Sequence, residues 1–368
     1  MIADNPWVDG LARMGIIAAA IPLAVIVLTY VERKVLGRLQ MRLGPMRVGP
    51  YGTLQSVADT IKLLTKEDLR PQTADRWTFE LAPFVVVMPV FLAFVTLPFT
   101  ADLFVRNLGL GLFFIVAVSG VSIVGFMMAG WGSDNKYALL GGLRAAAQLI
   151  SYEIPLVMAV LAVAMIGQSL NLVELVESQG RVPFVVWQPL AFLIFLVAGL
   201  AELYRQPFDI PVADSEVVGG PLVEYSGIRW SMFQMAEVAN MVLISVLASL
   251  LFLGGWNWPL GNGVGAGLQV PLIVVKTSMF ILLFMWLRGT LPRLRIDQMM
   301  AFCWQVLLPF AFLQIIINGW VLVYGWPDWV MGALSGMAAL AAGYLTYRMA
   351  RQATSAVSPR LHRVGSVP

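Results

Sequence analysis

Two ionisable side chains lie inside long apolar runs of this sequence. Glu237 has Gln234 and Asn240 three residues away on either side, so the three residues form one polar stripe on a helix. A carboxylate is costly in lipid unless it is neutral, paired or hydrated, and a group in that position suits proton transfer. Lys276 lies near the end of its run, where its amine can instead extend to the membrane surface. We therefore predict Glu237 as a proton-transfer residue and retain both interpretations for Lys276.

Glu153 is a third ionisable residue in an apolar run, and it lies two residues before Pro155. Proline removes one helical hydrogen bond and crowds the carbonyl of the residue four positions earlier, here Ser151. We expect the freed backbone and the Glu153 carboxyl group to share a local water molecule.

The segment 202–229 is acidic and rich in helix-breaking residues. Three prolines and the pair Gly219–Gly220 exclude a long helix there. Its two basic residues, Arg205 and Arg229, are opposed by five acids: Glu202, Asp209, Asp214, Glu216 and Glu224. The alternatives are a solvated loop and a carboxylate cluster that binds or relays protons, and we favour the cluster.

The segment 31–50 is basic and follows an apolar run directly. Gly-Pro pairs at 44–45 and 49–50 indicate turns, and the charged residues are Glu32, Arg33, Lys34, Arg38, Arg42 and Arg47. One interpretation is an anchor for anionic lipid headgroups. Such an anchor needs neither Glu32 nor the Gly-Pro pairs, so a binding site is the alternative.

An amphipathic helix is predicted over 54–68. Its apolar residues recur at helical spacing: Leu54, Val57, Ala58, Ile61 and Leu64. Asp59, Lys62, Lys66 and Glu67 lie away from that stripe. The helix either lies in the membrane interface or packs against neighbouring subunits as the wall of a cavity at the membrane surface.

The elements that carry these residues must be membrane-spanning helices. Apolar residues make up 59% of the 368 residues and charged residues only 12%, and the mean hydropathy is +0.80. About 20 apolar residues span a bilayer, which predicts an all-α polytopic bundle with nine candidate spans, or eight without the weakest, the ninth: 11–31, 81–100, 108–130, 145–167, 186–203, 232–254, 270–287, 306–324 and 329–348. The fifth and seventh spans are short.

The basic residues are distributed unequally over the loops between these spans. With the N-terminus outside, 20 of the 24 lysines and arginines fall on one side and two on the other. Basic loops stay in the cytoplasm during insertion, so the 32–80 and 204–231 loops and the C-terminus are predicted to be cytoplasmic. We divide the chain into one transmembrane domain, 1–350, and a polar cytoplasmic tail, 351–368.

Several function classes are excluded by what the sequence lacks. The single cysteine, Cys303, and the single histidine, His362, cannot form a metal or iron–sulfur site. The net charge of +3 is too small to indicate nucleic-acid binding. The N-terminus lacks a basic region before its first apolar run, so a cleaved signal peptide is not expected.

Seven stretches closely resemble one known family, and they occur in order between about residues 30 and 310. They are ERKVLGRLQMRLGPMRVGP, LLTKED, SDNKYALLGGLRAAAQLISYE, RQPFD, VEYSGIRW, FQMAE and LRGTLPRLRIDQ. The family is that of the H subunit in the membrane arm of respiratory complex I, the proton-pumping NADH:quinone oxidoreductase; the mitochondrial counterpart is subunit 1. The resemblance implies eight spans, with the ninth similar to an extension in some bacterial members.

The resemblance also implies a translocase subunit that is inactive alone, in a bacterial inner membrane. Its substrate would be a quinone such as ubiquinone, and this chain alone would bind no cofactor. FMN and iron–sulfur clusters would belong to partner subunits, namely peripheral-arm quinone-site subunits and other membrane subunits. The positions matching the quinone chamber are Arg33, Arg42, Asp59, Lys62, Arg288 and Arg293.

The positions that match the family's proton-transfer residues form a larger set: Glu32, Glu67, Glu153, Glu202, Asp209, Asp214, Glu216, Glu224, Glu237 and Lys276. One departure concerns the three alternating acids that usually follow the Phe-Asp-hydrophobic step. Val212 stands in the first place, followed by Asp214 and Glu216. A mechanism that needs the first carboxylate is therefore in question.

Three rival functions are weighed against this expectation. The homologous subunit of a membrane-bound hydrogenase or ferredoxin-linked complex would differ in its partners. A stand-alone ion transporter would be active when purified alone. A purely structural anchor would leave Glu237 and Glu153 unexplained.

Overall fold

The computed structural model describes residues 6–101, 103–180, 182–258 and 265–364. Within these ranges the chain is helical and has no β-strand. Two short 3-10 helices, Pro50–Gly52 and Gly220–Leu222, lie in loops. The α-helices are α1 Pro6–Leu39, α2 Gln55–Thr65, α3 Arg76–Thr96, α4 Gly111–Ser119, α5 Val121–Gly132, α6 Lys136–Gly167, α7 Leu172–Ser178, α8 Phe184–Trp187, α9 Pro189–Glu202, α10 Asp214–Val217, α11 Gly227–Phe252, α12 Ala266–Thr290, α13 Ile296–Phe302, α14 Leu308–Tyr324 and α15 Asp328–Val364.

Eight helical segments in the described ranges are long and apolar enough to cross a membrane. They are Ala12–Leu39, Arg76–Thr96, Gly111–Gly132, Lys136–Gly167, Gly227–Phe252, Gly267–Thr290, Ile296–Tyr324 and Asp328–Met349. The shorter apolar helix α9 lies where the fifth span was predicted. The predicted polytopic helical bundle is confirmed, and the ninth predicted span has a long helix of its own.

Three predicted boundaries differ from the structure. The fifth span is two pieces, α8 and α9, because the chain leaves the helical conformation at Gln188, where φ is −131° and ψ is 57°. The seventh span is not short, since α12 has 25 residues. The first span continues to Leu39, so Glu32 and Arg33 extend from the end of a helix instead of a surface loop.

Two spans contain breaks that hydropathy does not show. Gly120 separates α4 from α5, and a π-helical stretch, Cys303–Leu307, joins α13 to α14. The Ser151 carbonyl, which Pro155 leaves without its helical donor, lies 3.1 Å from the Cys303 thiol and accepts its hydrogen bond. The thiol thus supplies one donor to this carbonyl, and the water shared with Glu153 stays a prediction.

Helix α11 lies at the centre of the bundle. Of its most apolar window, 78% is buried, compared with 6% for α1. Helices α3 and α12 pack against it, and α6 packs against α5, α9 and α14. Because α1 is largely exposed, its apolar surface is available to lipid or to another subunit.

The loops separate into two sets at opposite ends of the bundle. At one end, Asp68 pairs with Arg229 at 2.8 Å, the Asp75 N–H donates to the Gly132 carbonyl at 3.1 Å, and the Leu294 N–H donates to the Pro207 carbonyl at 3.1 Å. These contacts join the loops predicted to be cytoplasmic, and we call this the charged end. At the opposite end, Gln179 donates to Leu250 and Leu112 to Leu170.

The last helix is fastened to the bundle by buried polar side chains. The Ser335 hydroxyl donates to Gln314 at 2.8 Å and accepts from the Leu190 N–H at 3.1 Å. Gln314 donates to Asn318, and Asn318 to the Ala162 carbonyl, at 2.8 and 2.9 Å. Helix α15 is therefore an integral part of the fold. It continues to Val364, into the segment 351–368 that the sequence predicts as a polar tail.

Candidate functional site

A buried ion-pair cluster at the charged end joins three spanning helices to the loop after α9. The Arg205 guanidinium donates to Glu32 at 2.8 Å and to Glu237 at 3.1 Å. Arg288 pairs with the same Glu32 oxygen. The Arg205 side chain is fully buried, whereas the Arg288 side chain is 36% exposed. We call Glu32, Arg205, Glu237 and Arg288 the Arg205 cluster, and its two acids balance its two bases.

The loop that carries Arg205 is held in place by Gln148 of α6. Its side-chain amide donates to the Ala201 and Phe208 carbonyls, both at 2.8 Å, and so spans the segment between them. The side chain of Gln148 has no exposed surface. Because both amide hydrogens are used, Gln148 fixes the position of Glu202 and Arg205 at the end of α9.

Glycine and proline shape the rest of this loop, as predicted. Helix α10 has only four residues, and Gly220 follows with a φ of +58°. A Cβ atom on Gly220 would lie 1.8 Å from the Pro211 carbonyl oxygen, so only glycine fits this close approach.

Three further pairs fasten the acidic segment to neighbouring elements. Arg293 donates to Asp209 at 2.7 Å and to Ser215 at 3.2 Å. Arg144 lies 2.5 Å from Glu216. Asn135 donates to Glu224 at 2.7 Å. Three of the five acids in the predicted carboxylate cluster are thus paired separately, namely Asp209, Glu216 and Glu224.

Helix α2 is joined to the end of α1 by a second group of charges. Arg33 lies 2.5 Å from Asp59, and Lys62 lies 3.3 Å from the other oxygen of that carboxylate. Burial acts to raise the pKa of Asp59, but hydrogen bonds from Arg33, Gln55 and Lys62 outweigh it and hold the pKa below its usual value. Asp59 is therefore an ionised carboxylate at neutral pH.

The apolar stripe of α2 is largely exposed in this chain. Leu54, Ile61 and Leu64 expose 53%, 57% and 60% of their surface. Arg42, beyond the end of α1, is also exposed and donates to Gln40 at 2.8 Å. This face of α2 is consistent with either a lipid interface or a cavity wall shared with another subunit.

A small cavity of about 40 Å³ borders the Arg205 cluster at Glu237 and lies within the bundle. Its lining includes Glu237, Glu202, Tyr204 and Val212, and we call it the acidic cavity. A second cavity, of about 20 Å³, shares Glu202 and Asn240 with it and lies among apolar residues of α4, α6 and α11. Glu202 thus lies between the charged end and the interior of the bundle.

Glu153 lies beside this path at the break between α4 and α5. A Cβ atom on Gly120 would lie 2.6 Å from the Glu153 Oε1 atom, so the carboxyl group occupies the space that the glycine leaves. The charges of Glu153 and Glu202 interact electrostatically. Glycine at this break gives the carboxyl group room close to the two cavities.

Lys276 lies away from the other predicted residues. Its Nζ atom donates to the carbonyls of Leu253, Gly255 and Asn257 at 2.7, 2.8 and 2.7 Å, at the end of the bundle opposite the charged end. The half-buried amine thus lies among backbone carbonyls at that end of the bundle, and its part in proton transfer stays a prediction.

Two of the predicted site residues are not placed in the site by the described side chains. Glu67 is exposed in the segment after α2. Asp214 begins α10, and its side chain lies outside the described part of the structure. Among the described side chains, no group of three or more His, Cys, Asp or Glu residues is placed to hold a metal ion.

Two residues at the centre of the site do not stand out in the sequence. Arg205 reads there as a charge that opposes the acids, although its place directly after an apolar helix is a usable signal. Gln148 gave no signal, because a buried amide in a helix forms no recognisable pattern.

A bundle of membrane-spanning helices with ion-paired charges collected at one end defines a class of multi-pass membrane protein in which buried charges serve a function. The sequence comparisons identify the family within that class. A profile of the family described as NADH dehydrogenase matches residues 12–319, and the chain belongs to this family.

Three relatives extend the match to nearly their whole length. The chain is 46% identical over 314 residues to the H subunit of NADH-quinone oxidoreductase from Brevibacillus brevis, covering 84% of this chain and 93% of the relative. It is 47% identical over 309 residues to the H subunit from Geobacillus kaustophilus, covering 83% and 92%. It is 45% identical over 321 residues to the H 2 subunit from Rhizobium meliloti, covering 83% and 95%.

Proposed function

We propose that this chain is the membrane subunit of a proton-translocating NADH:quinone oxidoreductase that forms the membrane side of the quinone chamber and joins quinone reduction to proton movement. The observation that carries the proposal is the connection between the Arg205 cluster and the acidic cavity, both of which include Glu237. An anchor would not need buried acids along such a path. Family membership and similarity to named subunits favour this function over a stand-alone transporter.

The quinone chamber would lie where the end of α1, helix α2 and the loop after α12 meet. Arg33, Lys62, Arg288 and Arg293 are basic side chains of this region, and each is paired with a carboxylate there. Reduction of a quinone takes two electrons and two protons. Cations stabilise the negative charge that develops on the quinone oxygens, and nearby acids can deliver the protons. The electrons would come from FMN and iron–sulfur clusters in partner subunits.

The partner surface would be the exposed apolar face at the charged end. Met41, Leu43 and Tyr51 are 95%, 83% and 75% exposed, and the stripe of α2 lies in the same segment. Large exposed apolar patches mark interaction sites. We propose that peripheral-arm subunits cover this face and close the chamber, with the other membrane subunits packed against exposed spans such as α1 in a bacterial inner membrane.

Coupling would start with a change of charge at Arg288 or Glu32 when quinone is reduced. Glu237 shares Arg205 with Glu32, so a change at one carboxylate alters the field at the other. Glu202, in the same cavity as Glu237, would pass the effect inward. Protons would then move between carboxyl groups whose affinities are coupled.

The deciding experiment replaces Glu237 by Gln in the assembled complex, which retains shape and hydrogen bonding but removes titration. Quinone reduction and proton pumping per assembled complex should both fall by about tenfold or more in sealed vesicles. Glu174→Gln, at an exposed position in α7, is the matched control and should change neither. Normal rates in Glu237→Gln would contradict the proposed coupling role.

Arg42→Ala tests the chamber separately. The substitution should slow quinone reduction while electron transfer from the donor to a water-soluble acceptor stays intact, because the upstream cofactors lie in other subunits. Unchanged kinetics with quinone would remove Arg42 from the chamber.

A further inference from the structure

Tyr204 occupies an unusual position between Glu202 and Arg205. Its φ is +50°, a left-handed conformation that is uncommon for residues other than glycine. The ring lies edge-on to Phe126, with 4.8 Å between centroids, and 8% of the residue is exposed. The bulky side chain is thus held in place although its backbone conformation is unfavourable.

The hydroxyl of Tyr204 is buried without a protein partner. Among the described residues, no donor or acceptor forms a hydrogen bond with it. Leaving a buried hydroxyl without a hydrogen bond is costly. We therefore expect this hydroxyl to have a hydrogen-bond partner in the functioning protein. Tyr204 lines the acidic cavity together with Glu202 and Glu237, and a water molecule held by these carboxyl groups would be a suitable partner.

The other hydroxyl groups of this cavity are already committed. Ser119 donates to the Val116 carbonyl at 2.9 Å and Ser122 to the Ser119 carbonyl at 2.8 Å. Val212, at the place where the family resemblance implies a carboxylate, lines the same cavity with an apolar side chain. Tyr204 therefore contributes an uncommitted proton-carrying group to a cavity that lacks the expected acid.

We propose that the Tyr204 hydroxyl relays protons between Glu237 and Glu202, directly or through water, and takes over the task of the carboxylate that is missing at Val212. This inference rests on the proposed function of the chain. One carboxylic acid gives its proton to the phenolic oxygen while the phenolic proton moves to the carboxylate on the other side. The phenol is regenerated, one proton has moved, and no electrons are transferred.

The environment of Tyr204 favours this form of relay. Burial, with a further contribution from the charge of Glu202, raises the pKa of Tyr204 well above its usual range. The phenol therefore does not ionise at neutral pH. It takes part in proton transfer by donating its own proton at the same time as it accepts another. A stored negative charge is not required.

The test is Tyr204→Phe in the assembled complex, which removes only the hydroxyl and preserves the ring contact with Phe126. Quinone reduction and proton pumping per assembled complex should both fall by about tenfold. Tyr225→Phe is the control for loss of a buried tyrosine hydroxyl. Its hydroxyl donates to the Phe79 carbonyl at 3.0 Å outside the cavity, and both rates should remain normal.

Rescue distinguishes a relay from a packing role. Adding Val212→Glu to Tyr204→Phe returns a titratable group to the cavity and should restore most of both rates, whereas Val212→Glu alone should be tolerated. Normal rates in Tyr204→Phe would overturn the proposal, and so would a loss that Val212→Glu does not repair. If the proposed function is wrong, the unmodified complex will not reduce quinone and pump protons, or Glu237→Gln will do both at normal rates. These results differ from a failure of the Tyr204 relay alone.

Discussion

Arg205 binds two carboxylates that come from different helices. Glu32 belongs to α1 and Glu237 to α11, and the guanidinium bridges them while fully buried. Breaking a buried pair by removing one partner is much more costly than breaking a surface pair, because the other charge remains buried. Arg205 therefore both holds the helices together and sets the field at Glu237.

Removal of Arg205 is expected to destabilise the protein. Arg205→Ala leaves Glu237 without its ion-pair partner and Glu32 with Arg288 alone. The substitution should cost about 3–5 kcal/mol, measured as loss of assembled complex and a lower temperature of thermal aggregation. Arg76→Gln is the control, because its pair with Glu80 spans 3.6 Å at a side chain that is 69% exposed. It should cost at most about 1 kcal/mol. Equal stability of the two variants would refute a structural role for the cluster.

The ionisation of Asp59 leads to a prediction about pH. Its pKa in the folded chain lies below the usual 3.8, so the stabilisation from its ion pairs is present above that value and is lost as pH falls through the lower folded pKa. Asp59→Asn should slow quinone reduction by the same factor at every pH between about 5 and 8. The ratio of variant to unmodified turnover measures this, and a ratio that varies in this window would show that Asp59 titrates there.

The sequence indicated most of the charged residues but not how they pair. Composition and spacing singled out Glu237, Glu153 and the acids of 202–229, since charges in apolar surroundings are conspicuous. Partner choice depends on contacts between residues far apart in sequence, as between Glu32 and Arg205. Tyr204 was missed because an aromatic residue beside an apolar helix is ordinary until its hydroxyl is found without a partner.

Interruptions within spanning helices make room for polar groups. Gly120 separates α4 from α5 and leaves space for the Glu153 carboxyl group, and the π-helical stretch supplies the thiol that satisfies the Ser151 carbonyl. Hydropathy detects a span from its average, so it located all nine apolar segments yet could not reveal these breaks. Gln188, which splits the fifth span, was hidden in the same way.

The break at Gly120 can be tested with a single methyl group. Gly120 has a φ of −59°, which alanine accepts, and its Cβ would meet only the flexible end of Glu153. Gly120→Ala should therefore assemble normally but displace the carboxyl group and lower turnover. Gly319→Ala, with no atom within 4 Å of the added Cβ, is the control.

Combining the substitutions shows whether Gly120 acts through Glu153. Interacting residues have non-additive effects, so Gly120→Ala should add little to the loss of turnover caused by Glu153→Gln. Fully additive losses would mean that the methyl group disturbs helix packing instead.

The two ends of the bundle have different compositions and different contacts. The acidic segment, the basic end of α1, α2 and the loop after α12 meet at the charged end. The opposite end is held largely by amide and lysine side chains that bind backbone carbonyls. Loop alternation and charge counts anticipated this separation, because a chain that crosses a membrane repeatedly must return its loops to alternate sides. The assignment of the charged end to the cytoplasm remains a prediction from the distribution of basic residues.

That orientation is testable by labelling single cysteines with a membrane-impermeant maleimide. Cys303→Ser gives the background, since the buried thiol is replaced by another donor to the Ser151 carbonyl. Asn107 lies in an exposed loop at the end opposite the charged end, and Thr53 and Lys136 are exposed at the charged end. With 20 basic residues on one side, Asn107→Cys should label in intact cells, and Lys136→Cys only in inverted vesicles.

Thr53→Cys should behave like Lys136→Cys once detergent or removal of the peripheral subunits uncovers the apolar face beside it. Labelling of Asn107→Cys and Lys136→Cys from the same side would refute the two-ended arrangement, and labelling from exchanged sides would place the charged end outside the cell.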